Sequence, residues 1–115
     1  MIRILTGFLG LTFSLISTSA FAQALPETDL WLAKLIEGIP AEPLKISPDG
    51  GYNNQPHFSD DGSVIYYTRE QAGKNGTSQT DIAAYKPATE TTSMVNKTPQ
   101  SEYSPTPIPG RQAVS

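Results

Sequence analysis

The feature that most constrains this chain is an internal repeat with a period near 50 residues. "TDLWLAK" at residues 28–34 returns as "TDIAAYK" at residues 80–86, a spacing of 52. "KISP" from Lys45 returns as "KTP" from Lys97, near a spacing of 51. "QPHFSDDGSVI" from Gln55 returns as "SPTPIPGRQAV" from Ser104, a spacing of 49. The three blocks keep their order. Self-similarity of this length marks architectures in which one supersecondary unit recurs and buries its apolar face on the next.

Within the period, short apolar runs alternate with turn residues. The runs are 30–36, 44–46, 64–68, 82–85 and 94–95, and the turns are Pro48-Asp49-Gly50-Gly51, Ser59-Asp60-Asp61-Gly62, Gly73-Lys74-Asn75-Gly76 and Lys86-Pro87. Short strands punctuated in this way predict an all-β fold. One segment competes. "ETDLWLAKLIEG" has Asp29 placed to cap a helix, Leu32, Leu35 and Ile36 on one helical face, and Gly38 to end it. Its equivalent, 80–86, is too short and is followed by Pro87, so the repeat predicts a strand over 28–34, paired antiparallel with a strand near 44–47.

The middle repeat, residues 52–99, reads as four strands: Pro56 to Ser59, Val64 to Arg69, Asp81 to Tyr85 and Thr92 to Asn96, with Asp61-Gly62 as the first hairpin turn and a long loop over Glu70 to Gln79. Val64-Ile65-Tyr66-Tyr67 is apolar without alternation, as expected of a strand covered on both faces. A period near 50 with four strands is the size of a propeller blade. The expected fold is therefore all-β, with antiparallel four-stranded blade sheets: one full blade plus two partial blades of an incomplete β-propeller. Residues 28–48 supply the outer strands of a first blade, and residues 102–115 open the next.

The first 22 residues read as an export leader. Arg3 gives a positive start, Ile4 to Ile16 an apolar stretch, and Ala20-Phe21-Ala22 a small-residue cleavage pattern before Gln23. The apolar run is shorter than the roughly 20 residues a membrane span needs. The mature chain then has seven basic and eleven acidic residues and no cysteine. That balance shows no basic patch for nucleic acid, and the fold must hold without disulfides. Periplasmic or secreted localisation is expected, with no membrane association after cleavage.

With these residues in place, the sequence resembles the TolB-type, WD-like β-propeller repeat of bacterial envelope proteins. The hallmark turn reads here as Pro56-His57-Phe58-Ser59-Asp60-Asp61-Gly62, followed by Ile65-Tyr66-Tyr67 and Thr80-Asp81-Ile82. Asp60 replaces the usual second proline, and "ATETT" at 88–92 lacks the usual glycine. The resemblance covers residues 28–115. It implies a propeller that presents loops to protein partners, with Pro56, Phe58, Ser59, Asp61 and Gly62 as the blade turn. It also implies that the first blade is closed by strands from a far C-terminal segment, and that Ser115 falls inside the second strand of a truncated blade.

Little in the chain suggests catalysis. His57 is the single histidine, and no Gly-x-Ser-x-Gly elbow is present. Asp49, Asp60 and Asp61 lack the alternate ligand spacing and distal glutamate of a calcium loop and read as turn residues. Trp31, Tyr52, Tyr66, Tyr67 and Tyr85 read as packing between blades rather than a ligand groove. Pro105-x-Pro107-x-Pro109 overlays the start of a repeat and reads as strand plus turn rather than a polyproline ligand. No cofactor is expected. The resulting expectation is a non-enzymatic exported scaffold that binds a protein in the cell envelope, with self-association through exposed blade edges. The alternatives are the propeller part of a prolyl-oligopeptidase-type hydrolase, or a remnant without activity of its own.

Overall fold

The computed structural model of the chain describes residues 24–73, 76–111 and 113–115. The leader, with Ala20 and Ala22, lies outside them. The described residues form short and medium strands in antiparallel pairs and contain no α-helix.

At the centre is a four-stranded antiparallel meander: β5 (Asn53–Phe58), β6 (Ile65–Ala72), β7 (Ser78–Lys86) and β8 (Thr91–Met94), paired in chain order. The strands fall where the sequence predicts them, with different ends. β6 and β7 extend beyond their apolar runs, through Glu70↔Thr80, Gln71↔Gln79 and Ala72↔Ser78. The expected loop from Glu70 to Gln79 is therefore mostly ladder. Its polar side chains read as loop, but ladder hydrogen bonds use the backbone, which is indifferent to them.

Alternating side chains of this sheet feed two cores. Ile65, Tyr67, Ala83 and Tyr85 point to one face, where they pack with Ile46 and, less deeply, Leu30, Leu32 and Met94. Tyr66, Ile82 and Ala84 point to the other, against Val64 and Val114. Both faces are covered, which explains why Val64 to Tyr67 is apolar throughout.

The first face is covered by an N-terminal hairpin. β1 (Trp31–Leu32) pairs with β4 (Leu44–Lys45), and β2 (Leu35–Ile36) with β3 (Ile39–Pro40), all antiparallel. Within 28–34 only Trp31–Leu32 forms a strand, paired antiparallel as the repeat predicts and with no helix despite the local pattern; the strand is shorter than expected, and its partner covers Leu44–Lys45. The opposite face is covered by a C-terminal hairpin joined by the bridge Pro107↔Val114 and the reciprocal bonds Thr106 N–H to Ser115 O (3.2 Å) and Ser115 N–H to Thr106 O (2.9 Å). No sheet closes on itself among the described residues.

The repeat is visible in the hydrogen bonds. Ile46 N–H donates to Leu30 O at 2.9 Å, and Val95 N–H, 49 residues further on, donates to Ile82 O at 2.8 Å. The fold thus matches Lys45, opposite Trp31, with Met94, opposite Ala83, and not with Lys97 as "KISP" and "KTP" suggest. Leu30 N–H finds Ser47 Oγ at 3.0 Å, and Ile82 N–H finds Asn96 Oδ1 at 3.4 Å. Ser59 N–H to Val64 O (2.8 Å) recurs 49 residues later as Ile108 N–H to Ala113 O (3.0 Å). Even an unusual backbone recurs: Gln55 (φ 55°) and Ser104 (φ 51°) are both left-handed, and each precedes a proline.

Candidate functional site

Two ends of the layered strands differ in chemistry. At one end cluster the turns, which carry the motif residues singled out in the sequence. At the other lies a network of buried polar groups.

The turn between β5 and β6 is built from Ser59 to Gly62, closed by Gly62 N–H to Ser59 O at 2.9 Å. Asp60 and Asp61 occupy its centre, rather than Asp61 and Gly62 as the sequence suggested. Gly62, at φ 71°, takes the left-handed position that returns the chain to β6. The equivalent turn, Ile108 to Arg111, solves the same problem with different residues. Pro109 and Gly110 (φ 73°) are central, and Arg111 N–H reaches Ile108 O at 3.0 Å, the Pro-Gly pattern of a type II turn. The two turns touch, since Gly110 N–H donates to Asp60 Oδ2 at 3.0 Å.

Asp61 organises the first turn. Its Oδ1 accepts from Ser59 Oγ (2.8 Å), Ser63 N–H (3.0 Å) and Ser63 Oγ (2.7 Å). Bonds from Ser63, then Ser59, hold its pKa down to about 2, from an ordinary 3.8. Because the folded value is the lower one, the turn keeps this stabilisation above pH 3.8 and loses it as the pH falls through about 2. An NMR titration of the Asp61 carboxyl should give a midpoint near 2, with the Ser63 amide shifting in parallel. A midpoint at the ordinary value would show that the serines do not hold the carboxylate.

The remaining motif residues serve this turn or the strand leading to it. Pro56 sits in a β-bulge, where the β5–β6 register shifts between Asn54 and His57, a place where its missing N–H does no harm. Phe58 is exposed at the end of β5, opposite Ile65. His57 is exposed opposite Tyr66, and its imidazole makes no hydrogen bond among the described residues. The three aspartates weighed as calcium ligands have separate tasks: Asp49 meets Lys45 at 2.8 Å, Asp60 meets Gly110, and Asp61 meets the serines. Among the described residues no three of His, Cys, Asp or Glu gather at one point.

The opposite end holds side chains that sequence reasoning passed over. Asn53 is buried. Its Nδ2 donates to Thr28 O (3.1 Å) and Gly50 O (3.2 Å), while its backbone N–H and C=O both bond the Thr28 hydroxyl, at 3.0 and 2.9 Å. These bonds fasten the N-terminal hairpin to β5. Gln55 does the same on the other side: its Oε1 accepts from Thr68 Oγ1 (2.8 Å) and Ser104 N–H (3.1 Å). The signal for this pair was the recurrence of a polar residue before proline, 49 residues apart.

Charges line the same end. Lys45 bridges Asp29 and Asp49, each at 2.8 Å; the ammonium lowers the Asp29 pKa and is itself raised by Asp29. Bonds from Ser78 and the Tyr52 N–H hold the Glu70 carboxyl below its ordinary range. Asp81 is buried on β7, with Oδ2 accepting from Gln79 Nε2 at 3.3 Å, and it borders a cleft of about 420 Å³ with Gln71, Gly73, Lys97 and Thr98. Its Oδ1 has no partner among the described residues and is sealed from solvent. This end stiffens the layers, while the turn end presents backbone and short polar side chains outward. The chain matches no protein-family model, no curated protein and no solved structure.

Proposed function

We propose that this chain is a TolB-like, WD-like β-propeller repeat protein: a non-enzymatic exported module that binds a protein partner in the bacterial envelope through its turn-end loops. The observation that carries the reading is the recurrence of backbone hydrogen bonds at spacings of 49 to 52 residues, one shared by the first and second units (Ile46 to Leu30, Val95 to Ile82) and another by the second and third (Ser59 to Val64, Ile108 to Ala113). In a propeller such units are blades, with 28–48 and 102–115 as partial blades and 52–99 as a complete one. Blade motifs encode packing and turns, so specificity resides in the loops. Asp60, Glu90 and Arg111 are exposed at those loops.

Photo-crosslinking side chains placed at Asp60 and at Glu90, in protein expressed in a Gram-negative host, should trap the same envelope protein. One placed at Thr92, on the edge strand, should trap it far less. The trapped chain should begin at Gln23. Intact Met1 on cytoplasmic protein, or turnover of proline-containing peptides by the purified chain, would overturn the reading.

A further inference from the structure

We propose that the cleft beside Asp81 binds a primary alkylammonium ion, with the Asp81 carboxylate as its counter-charge. The repeat shows what this carboxylate lacks. Its equivalent is Asp29, at a spacing of 52. Asp29 Oδ2 meets the Lys45 ammonium at 2.8 Å, and its Oδ1 accepts from Ser47 Oγ at 3.1 Å. Neither partner recurs in the next unit. The ladder matches Lys45 with Met94, which carries no charge and packs against the core. Asn96 stands where Ser47 does, and its Nδ2 donates to Glu102 instead.

Asp81 is nevertheless the deeper of the two: it is buried, whereas Asp29 is exposed. Among the described residues its Oδ2 takes one bond, from Gln79 Nε2 at 3.3 Å, longer than an ordinary N–H to oxygen bond. Its Oδ1 takes none. A carboxylate removed from water calls for a paired charge and a full set of hydrogen bonds.

The cleft is built by one unit alone, since the residues lining it run from Gln71 to Pro99. Its volume of about 420 Å³ admits a small amine. Ala72 and Pro99 offer apolar surface to an alkyl chain, and Gln79 and Thr98 offer oxygen acceptors. Gln79 Nε2 also donates to Thr98 O, at 2.9 Å. Turning this amide over puts Oε1 where Nε2 stood, beside Asp81 Oδ2 and Thr98 O. Three acceptors then converge, matching the three donors of an ammonium. A calcium ion fits less well, since it takes about 6–8 oxygens and no three acidic or histidine side chains gather among the described residues. Lys97 lines the same cleft, but no ion pair joins it to Asp81 among the described residues.

Titrating the isotope-labelled chain with n-butylammonium chloride at constant ionic strength should give saturable NMR shifts at the Gln79 side-chain amide and the Thr98 backbone amide. The expected dissociation constant is on the order of 1 mM. Sodium, and tetramethylammonium, which has no N–H to donate, should give no such shifts. Asp81→Asn keeps the side-chain shape without the charge and should weaken binding about tenfold or more. Should that variant not fold, the contrast between butylammonium and tetramethylammonium in the parent decides alone. Lys97→Met should bind at least as tightly as the parent. Nα-acetyl-lysine methylamide separates two carriers of this chemistry: binding equal to butylammonium assigns the cleft to a lysine side chain, and much weaker binding assigns it to a free amine, either outcome supporting the site. Absence of saturable shifts in the parent, or binding that Asp81→Asn retains, overturns the proposal. So does binding that emerges only in Lys97→Met, because the chain's own ammonium then fills the cleft.

Discussion

Replacing Tyr67 with alanine is expected to cost about 3–5 kcal/mol of stability, the range for deleting a large buried aromatic. Tyr67 has no exposed surface and stands mid-sheet on β6, opposite Ala83. It shares one core cluster with Ile46, Ile65 and Tyr85. That cluster joins the central sheet to the N-terminal hairpin, so the cavity opens between two layers rather than within one. A small domain holds only about 5–15 kcal/mol in all, and a chain of this size sits low in that range because its buried fraction is small. Urea unfolding followed by circular dichroism should show the variant mostly unfolded, or with a midpoint far below the parent. Val95→Ala, at a side chain about half exposed, should change the midpoint little. A Tyr67→Ala variant within 1 kcal/mol of the parent would mean that the two layers do not share this core.

Appending a copy of residues 67–101 directly after Ser115 should raise the melting temperature by about 10 °C or more, since each kcal/mol gained moves a domain of this size by about 4–8 °C. The join follows the repeat: Ser115 is the equivalent of Tyr66 at a spacing of 49. Among the described residues the C-terminal hairpin, with Val114 and Ser115 in its second strand, is held by the bridge Pro107↔Val114 and by the backbone bonds of Thr106 with Ser115 and of Ile108 with Ala113. The appended residues would complete that strand and add copies of β7 and β8 beside it. They would also place a second Tyr67, Ile82 and Tyr85 in burial, each worth roughly 1.5–3 kcal/mol, against the entropy of ordering the added chain. A scrambled 35-residue extension of the same composition, matching 67–101 in length, should give no gain. No shift with the true copy, or a separate low-temperature transition, would show that the three units do not stack as equivalents.

The fate of residues 28–34 shows how the fold was legible. Their local pattern favoured a helix capped by Asp29, yet Trp31–Leu32 forms a strand against Leu44–Lys45. Local propensity amounts to tenths of a kcal/mol per residue. Burial of Leu30, Leu32 and Ile46 on the central sheet outweighs it, and the match to 80–86 carried that tertiary information in sequence form. The motif turn was legible as a turn, but its centre was placed one residue late. Asp61 accepts three bonds from Ser59 and Ser63, which sets Asp60-Asp61 in the centre and leaves Gly62 for the left-handed step.

Asn53 and Asp81 were not legible, because a polar residue in a strand looks solvent-facing until its neighbours are known. Asn53 is buried only because Thr28 and the Gly50-Gly51 backbone close over it. Asp81 is buried only because β6 flanks it at Arg69 and Gln79, itself bonded to Thr98 O, covers it.

By itself, the order of residues determined the period, the strand class, the positions of the turns and the two-sided burial of Val64 to Tyr67. These depend on side-chain alternation and turn chemistry, which act over a few residues. The folded chain alone decided which face of the central sheet each hairpin covers and which polar groups are sealed. Those depend on contacts between segments 25 to 50 residues apart, such as Thr28 with Asn53 and Gly110 with Asp60, where burial and backbone pairing are settled only when the layers meet.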